Sequence, residues 1–133
     1  MWIYITLPVT LDCNGSTKVV TSPSTTIVSQ NYPNNYDDNK DCRLTISFSL
    51  GQRVYIEFLD FELETNSNCA YDWLEIRDGD SANSNIIGSK LCGSGTPSPV
   101  ESTGNSLTLV FHSDGSVNRN GFKIKVGIGK SHC

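Results

Sequence analysis

The chain has 133 residues, 37% of them hydrophobic and 18% charged, which is enough for one domain with its own core and too little for two ordinary ones. Ten Lys and Arg against 14 Asp and Glu give a formal net charge of -4, which excludes the basic stripe that nucleic-acid phosphates require. The five cysteines, Cys13, Cys42, Cys69, Cys92 and Cys133, lack the close pairs of a zinc ribbon, and their wide spacing reads as a disulfide framework in an oxidising compartment.

Met1 to Leu11 is apolar and aromatic, with Trp2, Ile3, Tyr4 and Ile5, but it has no basic leader and is too short for a signal peptide or a membrane span. Residues 1–12 are therefore expected to be an N-terminal extension: a signal remnant, a cloning scar or an edge strand. Asn14-Gly15-Ser16 is an N-glycosylation sequon, making Asn14 a candidate glycan carrier on a secreted protein. From Cys13 to Cys42 the chain is rich in Ser, Thr, Asn and Pro, with short apolar pieces at Val19-Val20 and Ile27-Val28, which predict edge strands and turns.

After Cys42 the period sharpens. Leu44, Ile46, Phe48 and Leu50 alternate with Arg43, Thr45, Ser47 and Ser49, so one face is expected in the core and the other in water. Gly51-Gln52 then turns into Val54, Ile56 and Phe58 alternating with Tyr55 and Glu57, and the two strands are expected to form a hairpin. Asp72 marks the change from loop to strand, because Leu74 and Ile76 follow on one face and Trp73, Glu75 and Arg77 on the other, with Asp78-Gly79 as a turn. Carboxylates gathered at such a rim beside Cys69 point to an oxygen-ligand site for a hard cation.

Ile86 to Leu91 reads as a weak strand. Two clearer strands follow, in which Leu107, Leu109 and Phe111 alternate with polar residues, as do Phe122, Ile124, Val126 and Ile128. No helical period appears. The fold class is all-β, an antiparallel β-sandwich of two packed sheets with Leu44, Ile46, Phe48, Val54, Ile56, Phe58, Leu74, Ile76, Leu107, Leu109, Phe111, Phe122 and Ile124 in its core.

Enzymatic readings fare poorly. His112-Ser113-Asp114 names the members of a catalytic triad, but neighbours on one strand point to opposite faces and cannot form the relay. Gly129-Lys130-Ser131 ends like a phosphate loop but lacks the first glycine and the helix that would receive phosphate.

The order of motifs resembles a CUB domain. The matching residues are Asn31-Tyr32-Pro33 with Tyr36, Cys42 with Leu44 and Ile46, and Phe58 with Phe61-Glu62-Leu63-Glu64. They continue through Cys69-Ala70-Tyr71-Asp72-Trp73-Leu74-Glu75-Ile76, Asp78-Gly79, Leu91-Cys92-Gly93, Phe111 with Ser113-Asp114-Gly115-Ser116, and Gly121-Phe122. The resemblance implies a disulfide-stabilised sandwich of jelly-roll type over residues 13–128, followed by a tail over 129–133. It implies bridges Cys13–Cys42 and Cys69–Cys92, leaving Cys133 free, joined to a second chain or meant for an adjoining domain.

In the calcium-binding branch of the family, the resemblance further implies a Ca2+ ion held by Glu64, Asp72 and Asp114, with backbone oxygen near Ser116 and Tyr36 beside the site. The function implied is a secreted, extracellular, non-catalytic module that binds a protein partner through an exposed Lys or Arg, with Tyr36, Glu64, Asp72 and Asp114 as its partner-binding residues. The alternative is a carbohydrate-binding, lectin-like module in which the aromatics Trp73 and Tyr55 stack on a glycan.

Overall fold

The computed structural model describes residues 7–129. Nine strands appear in chain order: β1 (Val9–Thr10), β2 (Lys18–Val20), β3 (Thr26–Val28), β4 (Asp41–Ser47), β5 (Val54–Glu62), β6 (Trp73–Arg77), β7 (Val100–Glu101), β8 (Ser106–His112) and β9 (Gly121–Ile128). Among the described residues, no helix is long and apolar enough to cross a membrane. The tail residues Lys130, Ser131, His132 and Cys133 lie outside the described residues, as does the Trp2 to Ile5 run.

The strands form two sheets, a five-stranded one in the order β1-β3-β9-β5-β7 and a four-stranded one in the order β2-β4-β8-β6. Every odd strand is thus in the first sheet and every even strand in the second, so each connection crosses from one sheet to the other. The hairpin expected between β4 and β5 is therefore not formed: β4 pairs with β2 and β8, while β5 pairs with β7 and β9. Period-two alternation assigns each strand a buried face but is silent on its sheet. The six residues from Phe48 to Arg53 can span the roughly 10 Å between packed sheets.

Pairing is antiparallel except at one edge of each sheet, where β1 runs parallel to β3 and β2 parallel to β4, making the sheets mixed. These edge strands are only two and three residues long, too short to show a direction in sequence. Ile86 to Leu91 forms isolated bridges to β6, at Arg77 with Ile86 and Leu74 with Leu91, instead of a strand.

The thirteen core residues expected from alternation are all buried, the most accessible being Phe48 at 7%. Leu11, Ile27, Tyr36, Leu63 and Val126 join them. The period breaks at the ends, where Leu50 is 90% exposed in the turn after β4 and Ile128 is 49% exposed at the end of β9. A register shift between Phe58 and Asp60 gives β5 one extra residue, which turns Phe61 and Leu63 inward after Phe58.

The outer face of the second sheet is drier than alternation predicts, since Thr45, Thr108 and Glu75 are buried. The Thr45 and Thr108 hydroxyls bond each other, Thr108 donates to Gly79 O, and Arg77 spans from Glu75 to Ser84 O, so the 79–84 loop lies over this face. Disulfides join Cys13 to Cys42 and Cys69 to Cys92. The first ties the stretch after β1 to β4, beside the Asp12–Arg43 backbone bridge that already joins this stretch to the second sheet.

Candidate metal centre

Three strand ends meet at one end of the sandwich. Asp72 immediately precedes β6, Asp114 lies two residues beyond β8, and Glu64 lies two residues beyond β5. Glu64, Asp72 and Asp114 each bring a carboxylate oxygen to within 4.8 Å of the others. Glu64 comes from the first sheet and the two aspartates from the second, so the cluster spans the mouth of the sandwich.

The acids are fixed by a buried hydrogen-bond frame. The Tyr36 hydroxyl donates to Asp72 Oδ2 and accepts from the Glu64 amide. Asp72 Oδ1 accepts the Asp114 amide at 2.8 Å, and Asp114 Oδ1 accepts the Ser116 amide at 3.2 Å. Tyr36 is wholly buried, with its ring edge-on to Phe111 at 5.0 Å, so it holds the cluster from beneath. The Asp114 carbonyl accepts the Asn39 amide. Ser113 anchors the same loop by donating to Asp37 O and accepting the Lys40 amide.

Burial pushes the Glu64 carboxyl above its ordinary value, and the Asp114 and Asp72 charges push the same way against a smaller opposing pull from Arg119. Burial also raises Asp72, countered by the donors from Tyr36 and the Asp114 amide. Tyr36 is raised by burial and by Asp72. Among the described residues, the Arg77–Glu75 ion pair and the His112–Asp41 hydrogen bond leave the three acids out. Glu64 Oε1 is buried with no hydrogen-bond partner among the described residues. A buried carboxylate oxygen in that state calls for a cation or a proton, and three converging acids suit a hard, oxygen-seeking ion such as Ca2+.

Ser113 is buried with its hydroxyl committed, whereas His112 faces Asp41 and stacks on Trp73 at 5.2 Å, so these neighbours make no nucleophilic pair. Trp73 is also covered by Lys90 Nζ, 4.4 Å from the ring centroid. Tyr55 sits near the start of β5, at the opposite end from Glu64. Asn14 is exposed, its amide donating to Asp12 Oδ1. Strand period did not point to Ser113 or Arg119, because both act from loops; Ser113 entered only as part of the Ser113-Asp114-Gly115-Ser116 motif, and Arg119 had no signal beyond its nearness in sequence to Asp114.

The CUB domain family matches residues 13–126. Tolloid-like protein 2 of Mus musculus is 44% identical over 114 residues, covering 84% of this chain and 11% of the relative. The human tumor necrosis factor-inducible gene 6 protein is 40% identical over 114 residues, covering 86% of this chain and 40% of the relative. The chain thus spans about a tenth of the Tolloid-like protein's length. Among solved structures, the MASP-1 CUB2 domain bound to Ca2+ superposes with a TM-score of 0.75 at 30% identity, covering 86% of this chain and 99% of that one. The extracellular region of zebrafish Gpr126/Adgrg6 gives 0.74 at 35% identity, covering 84% of this chain and 14% of that one. Sequence, topology and bridges agree, and the chain belongs to the CUB domain family.

Proposed function

We propose that this chain is a secreted, non-catalytic binding module in which Glu64, Asp72 and Asp114 hold Ca2+ and present an acidic rim to a Lys or Arg of an extracellular protein partner. The buried Glu64 Oε1 carries this reading, because it accepts no hydrogen bond among the described residues. Backbone oxygen near Ser116 is a further ligand candidate, consistent with the 6–8 oxygens that calcium prefers. The Ca2+-bound MASP-1 CUB2 relative supports the choice of ion.

Three carboxylates around a divalent ion leave about one net negative charge, which favours an ammonium or guanidinium outside it. Asp114 is only partly buried, whereas Asp72 is wholly enclosed, so Asp114 is the acid best placed to meet a partner. Tyr36 serves by holding Asp72 and Glu64 in place, which lowers the ordering cost of binding. The sugar-binding alternative is weakened at Trp73, where His112 and Lys90 already take the ring.

Calorimetry tests the site. Asp114→Ala should abolish calcium binding and calcium-dependent retention on a lysine-rich peptide column while the sandwich stays folded. Calcium binding of wild-type strength in that variant would place the site elsewhere. Loss of calcium with unchanged peptide retention would refute the coupling.

A further inference from the structure

At the other end of the first sheet, Tyr55, Glu101, Ile128 and Gly129 line a recess of about 320 Å³. Its origin lies in the sequence of β9 and the residue after it. Gly127 and Gly129 alternate with Val126 and Ile128, removing the side chains from one face of the strand's end. Tyr55 pairs with Gly127 on one side and Glu101 on the other, so its half-buried ring and the Glu101 side chain share that face. A Cβ on Gly127 would meet the Tyr55 ring at 3.9 Å, and one on Gly129 would meet Glu101 Oε1 at 2.1 Å. The glycines are thus the floor, and the aromatic ring and carboxylate are the walls.

Glu101 Oε1 is buried and has no hydrogen-bond partner among the described residues. A carboxylate oxygen kept from water without a donor is costly, and in a chain with a net charge of -4 a cation is the natural complement. An aromatic ring beside it adds cation–π attraction. One unpartnered oxygen suits a compact ammonium better than the planar fork of a guanidinium.

We infer that the Tyr55–Glu101 recess is a second ligand site, one that takes an organic ammonium group such as a lysine side chain. It is separate from the acidic cluster, because β5 and β9 run side by side from Val54 with Ile128 to Glu62 with Gly121, a span of roughly 25 Å. A lysine of a partner could therefore be held here independently of calcium.

The test is a titration of the ¹⁵N-labelled full chain, in calcium chloride, with Nα-acetyl-lysine methylamide. The Gly127 and Gly129 amides should shift, while Nα-acetyl-norleucine methylamide and methyl glucoside should leave them in place. Glu101→Gln keeps the shape and removes the charge, and Gly129→Ala puts a methyl group where the carboxylate sits. Each should weaken binding about tenfold or more, with the calcium affinity unchanged. Asp114→Ala should leave the response at Gly127 and Gly129 intact. The inference is overturned if those amides do not respond, if the norleucine or glucoside probe shifts them equally, or if Glu101→Gln binds like wild type. It is also overturned if binding appears only in Lys130→Ala, because the chain's own lysine would then be the occupant.

Discussion

Tyr36 is the residue on which the acidic cluster turns. Its hydroxyl serves two buried groups at once, as donor to Asp72 and acceptor from the Glu64 amide. Tyr36→Phe keeps the ring against Phe111 and strands both partners, so it should cost about 1 to 3 kcal/mol in denaturant melts and weaken calcium binding. An unchanged melt together with unchanged calcium affinity would show that the frame is dispensable. The carboxyls give a second prediction. Glu64 and Asp72 have folded-state values above their ordinary 4.5 and 3.8. As pH falls through those raised values the folded chain takes up protons before the unfolded one does, so stability in EDTA should rise on acidification from neutral towards 4.5. With calcium present the trend should reverse, since protons compete for the same oxygens. Melts across that range decide it, and Glu64→Gln should flatten the EDTA curve. Local pattern pointed to carboxylates at the rim where Asp72 opens a strand, and the order of the motifs was needed to single out all three acids. Local pattern could not show that Tyr36, 36 residues before Asp72, lies under both.

At the scale of elements, β8 connects core and cluster. Phe111 packs edge-on between Tyr36 at 5.0 Å and Phe122 at 5.7 Å, three residues before Asp114. Phe111→Ala should therefore destabilise the domain by about 3 to 5 kcal/mol and also weaken calcium binding, because the cavity opens beneath the strand end that carries Asp114. A near-neutral melting shift would contradict the burial of this ring. Strand existence was legible wherever four or more residues alternated, as in β4, β5, β8 and β9. Strand partners were not. The β4–β5 hairpin failed because alternation is the same whether the next strand pairs or crosses, and the extra residue in β5 is visible only in the odd spacing of Phe58 and Phe61. The buried polar strip of Thr45, Thr108 and Glu75 escaped notice because a loop distant in sequence from Thr45 covers it.

For the whole molecule, the sandwich runs from Val9 to Ile128 and the family match covers residues 13–126 of it, and composition, cysteine spacing and motif order were enough to reach that architecture. The strict alternation of odd and even strands between sheets, which no local pattern foreshadows, has a mechanical consequence. Among the described residues no backbone hydrogen-bond ladder joins the sheets, so a load that slides one over the other is resisted by the core and the crossing links, of which the one between β1 and β2 is fastened to β4 by the Cys13–Cys42 bond. With calcium bound as proposed, the acidic cluster would add a clasp across the same gap, since Glu64 follows a strand of one sheet and Asp72 and Asp114 flank strands of the other. Pulled from its ends in a single-molecule force experiment, the domain should yield at a higher force in calcium than in EDTA. Asp114→Ala should yield at the same low force in both, giving the module a grip that tightens with the calcium level of its surroundings.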